Sequence, residues 1–231
     1  MKTIHIDDSN VIDEVLNVFH SKNPIIIFQL PSVYTLCAPP TKAGIEILNK
    51  VKARLSGKNY GTAIGSLHRF RRMALDGSLP SEVRSIKELE LLAGAFIRIN
   101  IGPPDFNSPV ARDGSHQGIL LASQYRELFC KFEESLAGHA DLDLFCGKKY
   151  TAPLCTSANI SGDPLGSITD WDRAYEFGRE RGVPLAVRCQ QASGPLGSYP
   201  IFHLTSDKIS IARSGPGENY IKNKLPSHLF K

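Results

Sequence analysis

The stretch 25–30 constrains the fold more than any other part of the chain. It is an apolar run interrupted only by Gln29, it follows Pro24, and it has the length of a strand. A strand with apolar residues on both sides is typical of a parallel or mixed sheet whose two faces are both covered. The run therefore predicts a central strand in such a sheet.

Further strand-like segments are spread over the whole chain and alternate with helix-like ones, as in α/β folds. The predicted strands are 3–6, 61–67, 95–101, 153–155, 184–187, 200–204 and 208–213. The last two are short β-rich runs joined by a few polar residues, so we expect them to form a strand pair. A polar and aromatic turn is predicted at 31–35, and loops at 102–114 and 190–199, which are rich in Gly, Pro or polar residues.

Helices are predicted where apolar residues recur every three or four positions. The predicted segments are 11–19, 45–55, 68–72, 89–92, 125–136 and the stretch that contains Trp171 and Phe177. Four of them follow residues able to cap a helix N-terminus. These caps are Asp8 or Ser9, Thr41, Ser85 with Glu88, and Thr169 with Asp172. The short segment 68–72 is basic, which fits either a solvated helix face or a nucleic-acid patch.

Length and composition predict one domain over residues 1–231, with no repeat and no linker. Hydrophobic residues make up 42% and charged ones 22%, an ordinary globular balance. The 27 Lys and Arg against 23 Asp and Glu leave a charge of +4, which suits an anionic ligand without requiring nucleic acid. The five cysteines include no CxxC pair, and no signal or membrane segment is recognisable. We therefore expect a cytoplasmic protein with reduced, core-packed thiols and no zinc site.

A polar segment within 148–169 is the main candidate for a binding site. After the short strand at 153–155 come hydroxyl and amide side chains, namely Thr156, Ser157, Asn159 and Ser161, followed by Gly162. Such groups suit phosphate or sugar oxygens, and the glycine permits a bend or a close approach of the backbone. The alternative is a loop in which these side chains bond their own backbone.

Three separated pieces of the sequence coincide with the motifs of one family. The segment 156–162 reads TSANISG and resembles the TSANxSG signature of the YrdC-like domain, found in threonylcarbamoyl-adenylate synthases. Lys52 and Arg54, with Lys58 four residues later, resemble the KxR element of that family. Arg213, before Ser and Gly, resembles the Arg of its closing RPG strand end.

Two weaker matches complete the resemblance, which runs in order from about residue 25 to residue 217. Residues Ser32 to Tyr34 have the sequence SVY and resemble the TVYG turn of the family. Arg112 and His116 resemble the Arg and His of its VRxPxH segment. The chain also departs from the family. Near the first motifs, Thr35 replaces a Gly, Leu55 replaces a Pro and Lys58-Asn59-Tyr60 replaces KPL. Where the family often has a His shortly afterwards, this chain has Ala63 or a neighbouring residue. Late in the chain, Ser198-Tyr199-Pro200 replaces Ser-Thr-Val. They leave the nucleotide end nearly intact and fall mainly at the amino-acid end.

The resemblance implies an α/β fold, with an open, twisted mixed sheet, flanking helices and a basic concave cavity. It implies that the protein joins threonine, bicarbonate and ATP into threonylcarbamoyl-AMP, with release of pyrophosphate, for threonylcarbamoyladenosine modification of tRNA. Mg²⁺ would be held mainly through the phosphates, without a protein metal site. The expected partners are RNA or tRNA and downstream tRNA-modification proteins. No binding to a membrane is expected.

The resemblance also implies roles for individual residues. Lys52 and Arg54 would be catalytic. The ATP-binding set would be Lys52, Arg54, Lys58, Ser157, Asn159 and Arg213. The threonine-binding set would be Ser32, Tyr34 and Arg112, with Arg112 on the carboxylate.

Several alternatives stay open at this point. Tyr34 also fits a core residue, and His116 fits a residue at a helix N-terminus. The competing function is a non-catalytic or re-purposed YrdC-like module that binds RNA or nucleotide. A carbamoyl-transferase domain is disfavoured, because such domains usually belong to much longer chains.

Overall fold

The apolar run at 25–30 forms a strand inside a large mixed sheet, and all five residues of Ile26–Leu30 are buried. The computed structural model describes residues 1–55, 57–190 and 194–230. Its strands are β1 Lys2–His5, β2 Ile26–Leu30, β3 Val33–Ala38, β4 Gly61–Ile64, β5 Phe96–Asn100, β6 Ala111–Arg112, β7 Ser115–Leu120, β8 Leu154–Ser157, β9 Leu185–Arg188, β10 Ile201–Leu204 and β11 Ile209–Arg213.

These strands form one 11-stranded sheet in the order β1-β9-β2-β3-β8-β4-β7-β5-β10-β11, with β6 paired to β7. The pairs β1/β9, β2/β9, β4/β7 and β5/β10 are parallel, and the other pairs are antiparallel. The predicted mixed sheet is therefore confirmed, as is the antiparallel pairing of β10 with β11. The predicted loop 190–199 lies partly outside the described residues.

Helices flank the sheet. They are α1 Val11–Phe19, α2 Lys42–Lys52, α3 Leu67–Met73, α4 Ile86–Leu89, α5 Ser123–Ser135, α6 Trp171–Glu180 and α7 Glu218–Lys222. Short 3₁₀ turns lie at Ser81–Val83, Glu90–Leu92, Leu142–Phe145 and Ser227–Phe230. In the part of the chain that the structure describes, every helix is too short or too polar to cross a bilayer.

The alternation of side chains along β2 divides the core into two clusters, one on each face of the sheet. Ile27 packs in the cluster that includes Leu48 of α2. Phe28 belongs to the other cluster, beside residues of α1 and α5, and its ring lies 5.0 Å from that of Phe129. Burial on both faces explains why the run 25–30 is apolar almost throughout.

Two of the predicted helix caps are confirmed and two are wrong. The Thr41 hydroxyl accepts a hydrogen bond from the backbone N–H of Gly44 at 3.0 Å, and Ser85 with Glu88 forms a capping box. By contrast, α1 begins after Asn10, because the carboxylate of Asp8 accepts from the backbone N–H of His5 instead. Similarly, α6 is capped by Asp170 rather than by the predicted Thr169.

Two further local predictions are corrected. The turn predicted at 31–35 contains only two residues, because β3 begins at Val33 and pairs with β2 directly. The helical stripe predicted to reach Leu55 ends earlier. Helix α2 stops at Lys52, and Ala53 then adopts a left-handed backbone conformation with φ of 46°. Leu55 consequently lies outside the helix and is half exposed.

Candidate functional site

A cavity of about 580 Å³ lies on one face of the sheet. Its floor is made by residues from seven neighbouring strands, β3, β8, β4, β7, β5, β10 and β11, of which β4 contributes only Gly61. They occupy alternate positions, such as Phe96, Arg98 and Asn100 on β5, because every second side chain of a strand points to the same face. The rim comes from the segments after α2, around β6 and after β8.

Positive side chains dominate the cavity. Among the described residues that line it, the Lys and Arg residues are Lys52, Arg54, Lys58, Arg98, Arg112 and Arg213, while Asp113 is the one carboxylate. The whole chain carries a formal charge of only +4, so this concentration of cations is a local feature. Such a surface attracts an anionic ligand with several charges.

Lys52 joins the end of α2 to the polar loop 156–162. Its side chain is almost fully buried, and its ammonium donates to the backbone carbonyls of Ser157 at 2.6 Å and Asn159 at 2.7 Å. The amide oxygen of Asn159 lies 3.3 Å away, and the N–H of Ser161 donates to the carbonyl of Lys52. Burial, followed by repulsion from Arg54 and Lys58, lowers the pKa of Lys52 to about 7. The first two motifs of the resemblance are thus in direct contact.

The polar loop satisfies most, but not all, of its own side chains. The Ser157 hydroxyl donates to the Asn159 amide oxygen at 2.5 Å, and the Asn159 amide group donates to the carbonyl of Ile160. The Ser161 hydroxyl is buried at the cavity wall without a hydrogen-bond partner among the described residues. Gly162 has φ of 88°, a left-handed conformation that glycine adopts without strain. Hydrogen bonds within the loop therefore satisfy most of its side chains, and the Ser161 hydroxyl is left to bind a ligand.

Arg54 is held in place by the segment that follows it. Its guanidinium donates to the backbone carbonyls of Asn59 at 2.6 Å and Lys58 at 3.3 Å, and lies 4.3 Å from the ring centroid of Tyr60. A guanidinium fixed by two carbonyls and an aromatic face is already oriented before a ligand arrives. Lys58, on the same segment, is exposed at the rim.

Arg112, at the end of β6, also lines the cavity and is tied to the same segment. Its guanidinium donates to the carbonyl of Gly57, the neighbour of Lys58. Arg112 also lies close enough to Arg98 to lower the pKa of that residue.

His116 is a buried residue of β7 and does not line the cavity. A carbonyl can only accept, so its Nδ1–H donates to the carbonyl of Val110 at 2.8 Å, and its Nε2 accepts from the Thr62 hydroxyl at 2.8 Å. Burial lowers the pKa of His116 to about 4, so the ring is neutral at physiological pH. The interpretation as a helix N-terminal residue is wrong, and the ring instead anchors the strand next to Arg112.

Ser32 and Tyr34 also lie outside the cavity lining. The Ser32 hydroxyl donates to the carbonyl of Gly197 at 3.0 Å. Tyr34 is buried in the core, with its ring 6.0 Å from that of Trp171. Because β3 alternates, Val33 and Thr35 face the cavity instead. Thr35, which stands where the family has Gly, adds a side chain to the floor and donates its hydroxyl to the carbonyl of Phe28 at 2.8 Å.

The structure adds two positive or titratable residues that sequence reasoning missed, Arg98 and His203. They stand side by side on the neighbouring strands β5 and β10. Arg213 follows on β11, where its guanidinium donates to the carbonyl of Tyr199 at 2.6 and 3.2 Å. A signal was present, because each missed residue is a polar position that alternates with apolar ones along its strand.

No family model and no curated protein sequence matches the chain. Solved structures do match its fold. Sua5 from P. abyssi has a TM-score of 0.69 and 15% identity, over 100% of this chain and 61% of that chain. The same protein complexed with L-threonine has a TM-score of 0.65 and 15% identity, over 99% and 60%.

Two other proteins have the same fold. A hypothetical protein from Streptococcus mutans has a TM-score of 0.70 and 14% identity, over 100% of this chain and 96% of that chain. HypF in a phosphate- and nucleotide-bound form has a TM-score of 0.59 and 12% identity, over 87% and 28%. The chain spans about 60% of the length of the Sua5 chains it matches. It therefore has the fold of Sua5 and other YrdC-like proteins, as its sequence predicted.

Proposed function

We propose that the cavity binds ATP and that the protein makes L-threonylcarbamoyladenylate from threonine, bicarbonate and ATP, with release of pyrophosphate. One observation carries the proposal. Lys52, Arg54, Lys58 and Arg213, which are far apart in sequence from the loop 156–162, line the same cavity as that loop. Sua5, which has this fold, was solved in complex with L-threonine, and HypF in a nucleotide-bound form.

The lining suits the chemistry of this reaction. A carbamate formed from an amine and bicarbonate is already an oxygen nucleophile, so its attack on the α-phosphorus requires alignment and charge neutralisation more than a strong base. The triphosphate and the leaving pyrophosphate carry several negative charges. Arginine binds such oxygens in a bidentate manner, and lysine acts as a compact charge. A cavity with many cations and no catalytic triad therefore fits.

The surroundings of each residue suggest its role at the nucleotide end. Arg54, already oriented by Asn59 and Tyr60, would bind phosphate oxygens directly. Lys52 would act partly by holding the loop, since three loop oxygens surround its ammonium. Ser157 and Asn159 would present hydrogen-bonding groups to phosphate or ribose.

The amino-acid end is assigned differently from the sequence prediction. Of the three residues predicted to bind threonine, Arg112 alone lines the cavity, and we assign it to the carboxylate. Ser32 and Tyr34 would shape the wall from behind Val33 and Thr35. Replacing threonine by serine or another amino acid in the assay below tests the wall at Thr35 and Tyr199.

Magnesium would enter with the nucleotide. The described residues include no group of three His, Cys, Asp or Glu side chains that could hold a metal ion, and the cavity lining has one carboxylate. This donor set fits an ion held mainly by phosphate oxygens, which is how Mg²⁺ usually accompanies ATP.

The test is a reaction with ATP, Mg²⁺, bicarbonate and threonine, in which pyrophosphate release and the mass of the carbamoyl-adenylate are measured. We expect product only when all four components are present. Arg54→Ala should lower the rate at least about tenfold, equivalent to about 1.4 kcal/mol. Lys50→Ala, an exposed lysine of α2 that does not line the cavity, is the matched control and should leave the rate unchanged.

One outcome would overturn the enzyme proposal. If no amino acid gives product and the protein instead binds RNA with a steep dependence on salt, the cavity belongs to a non-catalytic module that binds RNA or nucleotide. In that case tRNA and the downstream modification proteins would be binding partners rather than recipients of a product.

A further inference from the structure

A second group of cationic and titratable side chains lies at the far end of the cavity from the loop 156–162. Arg98, His203 and Arg213 come from the consecutive strands β5, β10 and β11, and all three line the cavity. Arg98 is in register with His203 across the parallel pair β5/β10. The sheet therefore places these side chains next to one another without any help from a loop.

The strands that carry this group lie some way along the sheet from the strand that leads into the loop. Ser157 lies on β8 and His203 on β10, which is four strands further along the sheet. At about 4.8 Å between neighbouring strands, their backbones are roughly 19 Å apart along the sheet. Arg112 is tied to Gly57 and lies close to Arg98.

Within this group Arg213 donates to the carbonyl of Tyr199, whereas the described residues meet the needs of Arg98 and His203 only in part. The Nε2 of His203 is buried and has no hydrogen-bond partner in the part of the chain that the structure describes. Arg98 donates to the neutral amide of Gln117 at 2.9 Å rather than to a carboxylate. Burial and Arg112 lower the pKa of Arg98, while partial desolvation and Arg98 lower the pKa of Arg213 and of His203. The arginine charges thus repel one another, and an anion would relieve that repulsion.

We propose that Arg98 and His203 form a second oxyanion subsite, which binds a phosphate-class anion while ATP, in contact with Arg213, occupies the loop end of the cavity; this inference rests on the nucleotide binding proposed above. The Arg98 guanidinium matches the geometry of phosphate oxygens, and the ring of His203 supplies a further polar group from the neighbouring strand. Among the described residues, Ser161 at the loop end and His203 at the far end each keep a buried polar atom without a partner, so each end offers a group to a ligand. The subsite depends on the cavity and not on turnover.

The test is a calorimetric titration of pyrophosphate into the full chain, first alone and then with a saturating non-hydrolysable ATP analogue. We expect pyrophosphate to bind in both cases. Arg98→Met should weaken its binding to the analogue-saturated protein at least tenfold, and His203→Gln at least threefold. Lys58→Ala, on the loop-side rim, should weaken the analogue but not pyrophosphate in the analogue-saturated protein.

Two results would overturn the subsite. If pyrophosphate and the analogue displace each other competitively, the far end belongs to the phosphates of the nucleotide itself. If Arg98→Met and His203→Gln, both shown to be folded by thermal unfolding, bind pyrophosphate as the wild type does, the residues do not contact the anion. Neither result depends on synthase activity, so this proposal and the proposed reaction can fail separately.

Discussion

The two ends of the cavity are stabilised in opposite ways. At the loop end, Lys52 donates to three oxygens and Arg54 is held by two carbonyls and a ring. At the far end, Arg98 donates to a neutral amide and is repelled by Arg112 and Arg213, and the buried Nε2 of His203 has no partner among the described residues. The first arrangement is bonded within the folded protein, whereas the second is the one that we propose an anion completes. The comparison teaches that cations in one cavity can contribute to stability or reduce it, depending on the oxygens around them.

The largest expected effect is the loss of stability on replacing Lys52 by Met. The ammonium is the shared donor to the carbonyls of Ser157 and Asn159, and its removal leaves buried acceptors without it. We expect the free energy of unfolding, measured with urea, to fall by about 3 kcal/mol, because two buried carbonyls lose their donor while the removal of a buried charge offsets part of that cost.

Lys50→Met is the matched control for this change. Lys50 lies two residues earlier on the same helix and is exposed, so its replacement should alter the free energy of unfolding by less than about 0.5 kcal/mol. A Lys52→Met protein as stable as the Lys50→Met protein would show that the loop does not depend on the lysine.

A smaller effect concerns His116, which anchors the strand beside Arg112. Its pKa of about 4 lies below the usual value, so the unfolded chain binds the proton more readily between pH 4 and 6.5. Stability should therefore fall as the pH drops through this window, by about 1.6 kcal/mol between pH 6.5 and 5. Urea unfolding at several pH values measures this slope.

The variant His116→Gln provides the check on that slope. Gln cannot take up the proton, so the pH dependence of its unfolding should be shallower than that of the wild type over the same window. Equal slopes in the two proteins would mean that another group is responsible.

The difference between the two ends also explains what could be predicted from the sequence. The loop 156–162 was predictable because its residues are contiguous, and the strand at 25–30 because burial on both faces leaves an apolar run. Arg98 and His203 were not predicted, because they are distant in sequence and the pairing of β5 with β10 brings them together. A single sequence does not specify strand order, so a site made by the order of strands stays hidden.

Tyr34 shows a second limit of the sequence. Serine, tyrosine and threonine beside a proline are typical of a turn, and they predicted one at 31–35. In the structure β3 begins after two residues, and its tyrosine packs on Trp171 while its threonine faces the cavity. Which face a strand residue occupies depends on its pairing partner, and a shift of one residue would have reversed both positions.

A third prediction tests whether Lys52 also responds to the ligand. Its pKa of about 7 leaves the side chain mostly neutral at pH 8, and a bound triphosphate favours the charged form. ATP binding should therefore take up a proton, and the affinity should rise up to about tenfold per pH unit as the pH falls from 9 toward 7. Calorimetry in buffers of different ionisation enthalpy measures the uptake. If Lys52 only held the loop, no proton linkage would appear above pH 7.5.

The smallest expected effect is that of Arg98→Met on the protein without ligand. Arg98 is partly exposed, and its interactions with Arg112 and Arg213 are repulsive, so loss of the charge removes little that stabilises the fold. Solvent screening keeps the change small, and we expect the free energy of unfolding to stay within about 1 kcal/mol of the wild type, with a slight gain. The same urea experiment used for Lys52→Met measures it.

The decisive quantity is the difference in the free energy of unfolding between Lys52→Met and Arg98→Met, because both variants replace a cation of the same cavity by methionine. A loss at Arg98 as large as that at Lys52 would show that the far end is held together by contacts of its own, and the distinction between the two ends would fail. A small change without ligand, together with a larger stabilisation of wild type than of Arg98→Met by pyrophosphate, would show that the far end is completed by an anion, since a ligand stabilises a protein only to the extent that it binds the folded form.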